Sequence, residues 1–224
     1  FDGEKNDSMT ETHEADFGTV IDSYTNKCPD GYVLDKTENL PLTIGVDKSA
    51  NVIKVFYKKN VFNLTIHYVY AEGGKAADDH TESVTFNSTY NVASPTIDGY
   101  TADKATVSGT MPARNVEETV TYTKRSDLSY TVNYYWNDKT TLLDSKTVNG
   151  QTFHASVTES PIAIEGYTAV SNADQTITIG VTGNVINFYY YKNVELTAVS
   201  DSKVYNGSEQ TISNGGTGYR FNAE

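Results

Sequence analysis

Three stretches of the chain alternate apolar and polar residues with a period of two. They are NVIKVFYKK at Asn51–Lys59, VEETVTYTK at Val116–Lys124 and NVINFYYYK at Asn184–Lys192. Such alternation, rich in β-branched and aromatic residues, predicts half-buried strands, because successive strand side chains point to opposite faces. In VIKVFYK, Val52, Lys54 and Phe56 share one face, while Ile53, Val55 and Tyr57 form the expected core face. Two more aromatic strands are predicted at NLTIHYVY, Asn63–Tyr70, and YTVNYY, Tyr130–Tyr135. Each precedes a turn rich in Gly, Asn, Asp and Lys, AEGGK at Ala71–Lys75 and WNDKT at Trp136–Thr140. The similar turn FDGEK at Phe1–Lys5 has no such strand ahead of it, so the chain reads as a piece of something longer. No long amphipathic helix is expected; residues 94–113 carry two prolines and two glycines, which interrupt one.

The pattern recurs. PDGYVLD at Pro29–Asp35, IDGYTAD at Ile97–Asp103 and IEGYTAV at Ile164–Val170 share an acidic-Gly-Tyr step, and its tyrosines stand at 32, 100 and 167. A near-constant period signals a folding unit copied in tandem. The expected bodies are residues 1–59, with its first strand missing, 60–126 and 127–192. Residues 193–224 break the pattern and read as the opening strands of a different, Ig-like β module, with a hairpin at Asn206-Gly207. Gly31, Gly99 and Gly166 would supply a backbone conformation closed to other residues, while Tyr32, Tyr100 and Tyr167 bury a ring and retain a hydroxyl for bonding.

Composition narrows the function. The net charge of −12 repels polyanions, so no nucleic-acid partner is expected. No apolar run is long enough to cross a bilayer, so no membrane insertion is expected within the chain. The 38% hydrophobic content and 17 tyrosines argue for packed cores rather than disorder. A single cysteine, Cys28, permits no intrachain disulfide; Lys27 beside it would favour the thiolate, with nothing else to suggest reactivity. His13, His67, His80 and His154 recur at no common place in the repeat, so no catalytic constellation, metal site or cofactor is expected. DDH at Asp78–His80 and DGEKND at Asp2–Asp7 lack the order of a calcium loop and read as solvated turns. Lys58 and Lys192 are candidate partners for a Lys–Asn isopeptide cross-link, but they sit at strand ends where lysines reach solvent. Two aromatic runs, Tyr134-Tyr135-Trp136 and Tyr189-Tyr190-Tyr191, belong to one copy. Cross-strand packing is the ordinary account of such runs. Exposed rings can also stack on sugars, and Trp136, Tyr134 and Tyr190 are the candidate contacts.

The copies resemble the mucin-binding-protein (MucBP) repeats of Gram-positive surface proteins. The resemblance rests on YTVNYYWNDKT, on PIAIEGYTAV from Pro161, and on a closing V-x-x-x-Y-Y-x-K strand; SPTIDGYTADKATVSGTMPARNVEETVTYTK, Ser94–Lys124, shows the same skeleton. Internalin-type B repeats look similar. The resemblance implies a mainly β protein of tandem small β-grasp-like domains with little helix, plus the partial β module. It further implies an extracellular location on the bacterial cell surface, with the anchor outside this chain, and a non-enzymatic role in a stalk or adhesin. The expected function is a semi-rigid monomeric spacer built of units about 30 Å long. The alternative it implies is a module that binds mucin or host-glycoprotein glycans through exposed aromatic residues.

Overall fold

The computed structural model describes residues 4–198 and 219–222. The chain divides into two compact units, Phe1–Thr123 and Lys124–Glu224. Both are built of strands, and the described residues hold a single 3-10 turn, Asp7–Met9, capped by the Asn6 side chain, which accepts from the Ser8 N–H.

In the first unit β1 (Val20–Ile21), β2 (Tyr32–Glu38), β3 (Leu42–Thr43) and β4 (Lys54–Lys59) form two antiparallel pairs, β1 with β3 and β2 with β4. Tyr57 is buried and Ile53 and Val55 half-buried, while Lys54 and Val52 are exposed, so β4 faces the core as its alternation predicts. Six more strands follow: β5 (Val61–Tyr70), β6 (Lys75–Thr85), β7 (Thr89–Ala93), β8 (Tyr100–Ala102), β9 (Thr106–Thr110) and β10 (Val116–Lys124). Four of them make a sheet in the order β6-β5-β10-β8, with β10 parallel to β5 and β6 antiparallel to it; β7 and β9 pair separately. The first and last long strands lie side by side and parallel, flanked by β6 and β8, in a β-grasp-like order, and β7 and β9 form a separate pair.

The second unit repeats the design in β11 (Leu128–Trp136), β12 (Leu142–Gln151), β13 (Ser156–Glu159), β14 (Tyr167–Ala169), β15 (Gln175–Thr178) and β16 (Val185–Lys192). The sheet order is β12-β11-β16-β14, again with the central pair parallel and β13–β15 apart. Short β17 (Glu195–Ala198) and β18 (Tyr219–Asn222) pair antiparallel. The expected hairpin at Asn206-Gly207 lies outside the described residues.

Each unit has its own interior. Leu64, Ile66, Tyr68, Val107, Met111, Val120 and Tyr122 form one cluster, and Leu128, Tyr130, Val132, Tyr134, Ile179, Ile186, Phe188 and Tyr190 the other. Burying each such side chain contributes about 1.5–3 kcal/mol. That is how bodies near the lower size limit hold together without disulfides.

Candidate functional site: the repeat turn and the aromatic sheet

The acidic-Gly-Tyr step is one turn made three times. The Tyr32 N–H donates to the Pro29 carbonyl at 3.2 Å, Tyr100 to Ile97 at 3.1 Å and Tyr167 to Ile164 at 3.0 Å. Gly31, Gly99 and Gly166 hold φ of 83°, 80° and 77°, a left-handed conformation costly for any residue with a Cβ. The following tyrosine then starts β2, β8 or β14. A second tyrosine, on the closing strand of each copy, bonds the loop ahead of the turn through its hydroxyl. Tyr57 donates to Asn26 Oδ1 at 2.7 Å, Tyr122 to the Pro95 carbonyl at 2.6 Å and Tyr190 to the Ile162 carbonyl at 2.8 Å. The three loop acceptors stand within six residues of their turn glycine, so closing strand and turn are locked together in each copy.

A second recurring turn was not anticipated. Gly18, Asn87 and His154 each follow a phenylalanine and adopt positive φ, 82°, 60° and 64°. Their N–H groups donate to the carbonyls of Ile44, Met111 and Ile179 at 2.9, 2.9 and 2.8 Å. In sequence the signal was there, as Phe-Gly, Phe-Asn and Phe-His, with Gly and Asn being residues that tolerate this conformation.

Within the first unit one residue joins consecutive copies. The Asn60 N–H donates to the Gly31 carbonyl and its own carbonyl accepts from Phe86 N–H, both at 2.8 Å. Phe86 lies against the Gly31 turn so closely that a Cβ on Gly31 would stand 2.6 Å from its ring, and Tyr32 meets the same ring edge-on at 5.7 Å. In the second unit Arg125 takes the Asn60 place, its carbonyl accepting from Phe153 N–H at 2.9 Å, and Asn193 N–H donates to the Gly166 carbonyl at 2.8 Å.

The candidate sugar-contact residues separate. Tyr134 and Tyr190 are each 1% exposed and belong to the core, so neither can offer a ring face to a ligand. Alternation explains the correction: both share the inward face of their strands with Val132 and Ile186. Trp136 is 43% exposed at the end of β11, where the turn begins. The aromatic residues of the outer face are Tyr135, Tyr189 and Tyr191. Tyr135 and Tyr189 stack across the parallel pair at 6.2 Å and 25°, beside an Asn133–Asn187 side-chain bond of 3.0 Å, and Tyr191 is 53% exposed. Asp138 fixes the turn next to Trp136, accepting from Thr140 and Thr141 N–H at 2.9 and 2.8 Å. Those bonds, with the Thr141 hydroxyl foremost, bring its carboxyl down to about 2.

Ionisable groups elsewhere are engaged structurally. Glu159 accepts from the Tyr130 hydroxyl at 2.6 Å and from Lys146 Nζ at 2.7 Å; the Lys146 bond, then the Tyr130 bond, lowers its carboxyl. Lys27, expected to favour the Cys28 thiolate, is paired with Glu11, and burial instead pushes the Cys28 thiol up. His67 bonds Asp79 at 2.9 Å, Lys58 meets Asp35 at 3.0 Å in an exposed pair, and Lys192 is exposed.

Repeated β-bodies of one topology, each carrying the same turn and closing strand, define a modular repeat protein. A family model of the MucBP domain matches residues 63–123 and 130–191, together more than half of the chain. The chain therefore belongs to the MucBP domain family and carries tandem copies of that domain, as its sequence motifs led us to expect. It is similar to Internalin J of Listeria monocytogenes serovar 1/2a, 32% identical over 193 residues, covering 79% of this chain and 22% of that protein. Internalin J of serotype 4b is 29% identical over 191 residues, covering 79% of this chain and 20% of the relative. The chain thus spans about a fifth of the length of these curated relatives. Among solved structures, a MucBP domain from Lactobacillus acidophilus is 30% identical, covering 30% of this chain and 92% of its own, with a TM-score of 0.24. The type 2 repeat of the mucus binding protein MUB from Lactobacillus reuteri is 26% identical, covering 43% and 77%, with a TM-score of 0.27.

Proposed function

We propose that this chain is a non-enzymatic repeat segment of a Gram-positive cell-surface protein, acting as a semi-rigid monomeric spacer. The expected bodies, residues 1–59, 60–126 and 127–192, are its units. The observation that carries the reading is the Asn60 junction. A single residue has both backbone groups bonded, one to each copy, and the Phe86 ring fills the space over Gly31. Such a joint restricts rotation between neighbours, and nearest-neighbour contacts are what make a solenoid or bead array stiff. Small-angle scattering of the whole chain tests it: an extended profile is expected, and a compact globule overturns the spacer.

A second reading, binding of mucin-type glycans, is favoured by one specific feature, the exposed rings of Trp136 and Tyr191 in the second unit. An exposed aromatic ring suits a sugar's apolar face. Titration of the chain and of Trp136→Ala with mucin-type glycans decides it. Binding that weakens in the variant supports this reading, and no binding by the unaltered chain removes it.

A further inference from the structure

We propose that Asn149 is a self-modifying site, where the folded chain converts an asparagine amide into a carboxylate with water as the only reactant. Among the described residues it is the one asparagine followed by glycine. In such a pair the glycine backbone nitrogen can close on the side-chain amide carbon, because no Cβ stands in the way. A regular strand opposes that closure by holding its N–H groups in the ladder. The fold interrupts the ladder at Asn149.

The interruption shows when the two units are compared. In the first, Phe62, Asn63 and Leu64 pair in even register with Val84, Ser83 and Glu82. In the second, Leu128 pairs with Gln151 but Tyr130 with Val148. Two steps along β11 thus face three along β12, so β12 carries one extra residue, within Asn149-Gly150. A β-bulge of this kind leaves a residue unpaired and disrupts the ladder locally. Gly150 takes a φ of 71°, and nothing lies within 4 Å of the place a Cβ would occupy. The bulge accounts for the glycine, since such bulges take glycine in the left-handed conformation. It makes no demand on the residue before it, and Asn149 is exposed. Elsewhere in this unit Asn133, Asn184 and Asn187 have their side-chain amides tied in hydrogen bonds. At Asn149 the bond from Gln151 Nε2, 3.1 Å, goes to the backbone carbonyl and does not hold the side chain.

The reaction needs no oxidant and no second protein. The Gly150 nitrogen bonds to Asn149 Cγ, its proton passes through water to the departing nitrogen, and ammonia leaves behind a cyclic imide. Water then opens either carbonyl of the imide. One opening gives aspartate; the other routes the main chain through the side chain as isoaspartate. One water is consumed and one ammonia released. The product changes a particular place on the surface. β12 is the outer strand of its sheet, and its stretch TVNGQ, residues 147–151, carries no charge. A carboxylate added there is of the kind that discourages an outer strand from pairing with another chain. The extra main-chain atom of isoaspartate falls where pairing is already interrupted, which spares the core residues Leu128 and Tyr130 on either side.

The test incubates the whole chain in mildly alkaline buffer beside the free peptide KTVNGQT, residues 146–152. Samples taken over time are digested, and the fragment carrying residue 149 is separated and sequenced by mass spectrometry. Asn149 is expected to convert in the folded chain at a rate within about tenfold of the free peptide, because the bulge offers little local protection. Isoaspartate and aspartate should both appear, and Asn133, Asn184 and Asn187 should stay unchanged over the same period. Slowing beyond about tenfold in the folded chain overturns the proposal, since the strand would then protect the pair as a regular ladder does. Aspartate without isoaspartate overturns the imide route. Converted and unconverted chains should also unfold at the same urea concentration, read by Trp136; a lower midpoint after conversion overturns the claim that the bulge absorbs the added atom. Asn149→Gln, which lengthens the side chain and leaves the backbone conformation accessible, should remove conversion at this position, and its persistence there would equally overturn the assignment.

Discussion

The parallel pairs β5–β10 and β11–β16 are the same construction facing inward and different surfaces facing outward. Inward, Ile66 matches Val132, Tyr68 matches Tyr134 and Tyr122 matches Tyr190, all buried. Outward, the first pair shows His67, Thr119 and Thr121, with His67 tied to Asp79, whereas the second shows Asn133, Asn187, Tyr135 and Tyr189. Interior positions answer to one packing problem, solved with nearly the same residues. The outer face answers to solvent or to a partner, and there only the second unit carries stacked aromatics.

The largest effect that would break this division comes from truncating neighbouring residues on opposite faces of β16. Phe188, stacked on Tyr134 at 5.8 Å inside the core, should lose about 3–5 kcal/mol on change to Ala. Tyr189→Ala, one residue on, should lose under about 1 kcal/mol, the scale of a cross-strand pair. Trp136 is the only tryptophan and belongs to the second unit, so its fluorescence during urea unfolding reads this unit. Equal losses would mean the outer face is packed against something and is not a free surface.

The next contrast separates backbone strain from crowding. Gly31 and Gly166 share a left-handed φ, yet a Cβ meets the Phe86 ring at the first and nothing within 4 Å at the second. Gly166→Ala should cost about 1–2 kcal/mol, from the conformation alone. Gly31→Ala should cost about 1–3 kcal/mol more, because the junction between copies must open. Calorimetry that finds the two equal would show that Phe86 moves aside at no expense and that the Asn60 joint is looser than its bonds indicate.

Glu159, half-buried between Lys146 and Tyr130, sharpens the comparison by pH. Its pKa is lowered in the fold by Lys146 and Tyr130. The stabilisation is therefore fully present above the unfolded value, about 4.3, and is lost as pH falls through the lower folded value. Glu159→Gln should destabilise the second unit by about 1–2 kcal/mol at pH 7. The gap to the unaltered chain should close on acidification below about pH 4. A gap that stays constant down to pH 2 would show the loss to be steric.

Much of this was legible in the residues. Period-two alternation located the closing strands and assigned Ile53, Val55 and Tyr57 to the core, and the recurring acidic-Gly-Tyr step gave the repeat, because a left-handed turn leaves glycine little substitute. The burial of Tyr134 and Tyr190 was less legible. A run of three aromatics must put some rings on each side, but which side is inward depends on where the strand enters the sheet, and that is settled by pairing with distant residues. The closing-strand hydroxyl latch was hidden for the same reason: Tyr57, Tyr122 and Tyr190 reach acceptors 27 to 31 positions away.

The smallest expected effect is the most discriminating, because it changes sign between two tyrosines 6.2 Å apart in one core. The Tyr190 hydroxyl donates to the Ile162 carbonyl, so Tyr190→Phe should lose about 1 kcal/mol, with that carbonyl left short of a partner. The Tyr134 hydroxyl is equally buried and has no hydrogen-bond partner among the described residues. Its desolvation is uncompensated, so Tyr134→Phe should be neutral or stabilise by about 1 kcal/mol. Rings, stacking on Phe188 and core volume are nearly unchanged in either variant, which leaves the hydroxyl as the variable. Urea midpoints read by Trp136 should move in opposite directions with unchanged slopes. If both variants lose stability alike, the Tyr134 hydroxyl contributes to stability as the Tyr190 hydroxyl does, and the contrast between the two positions fails.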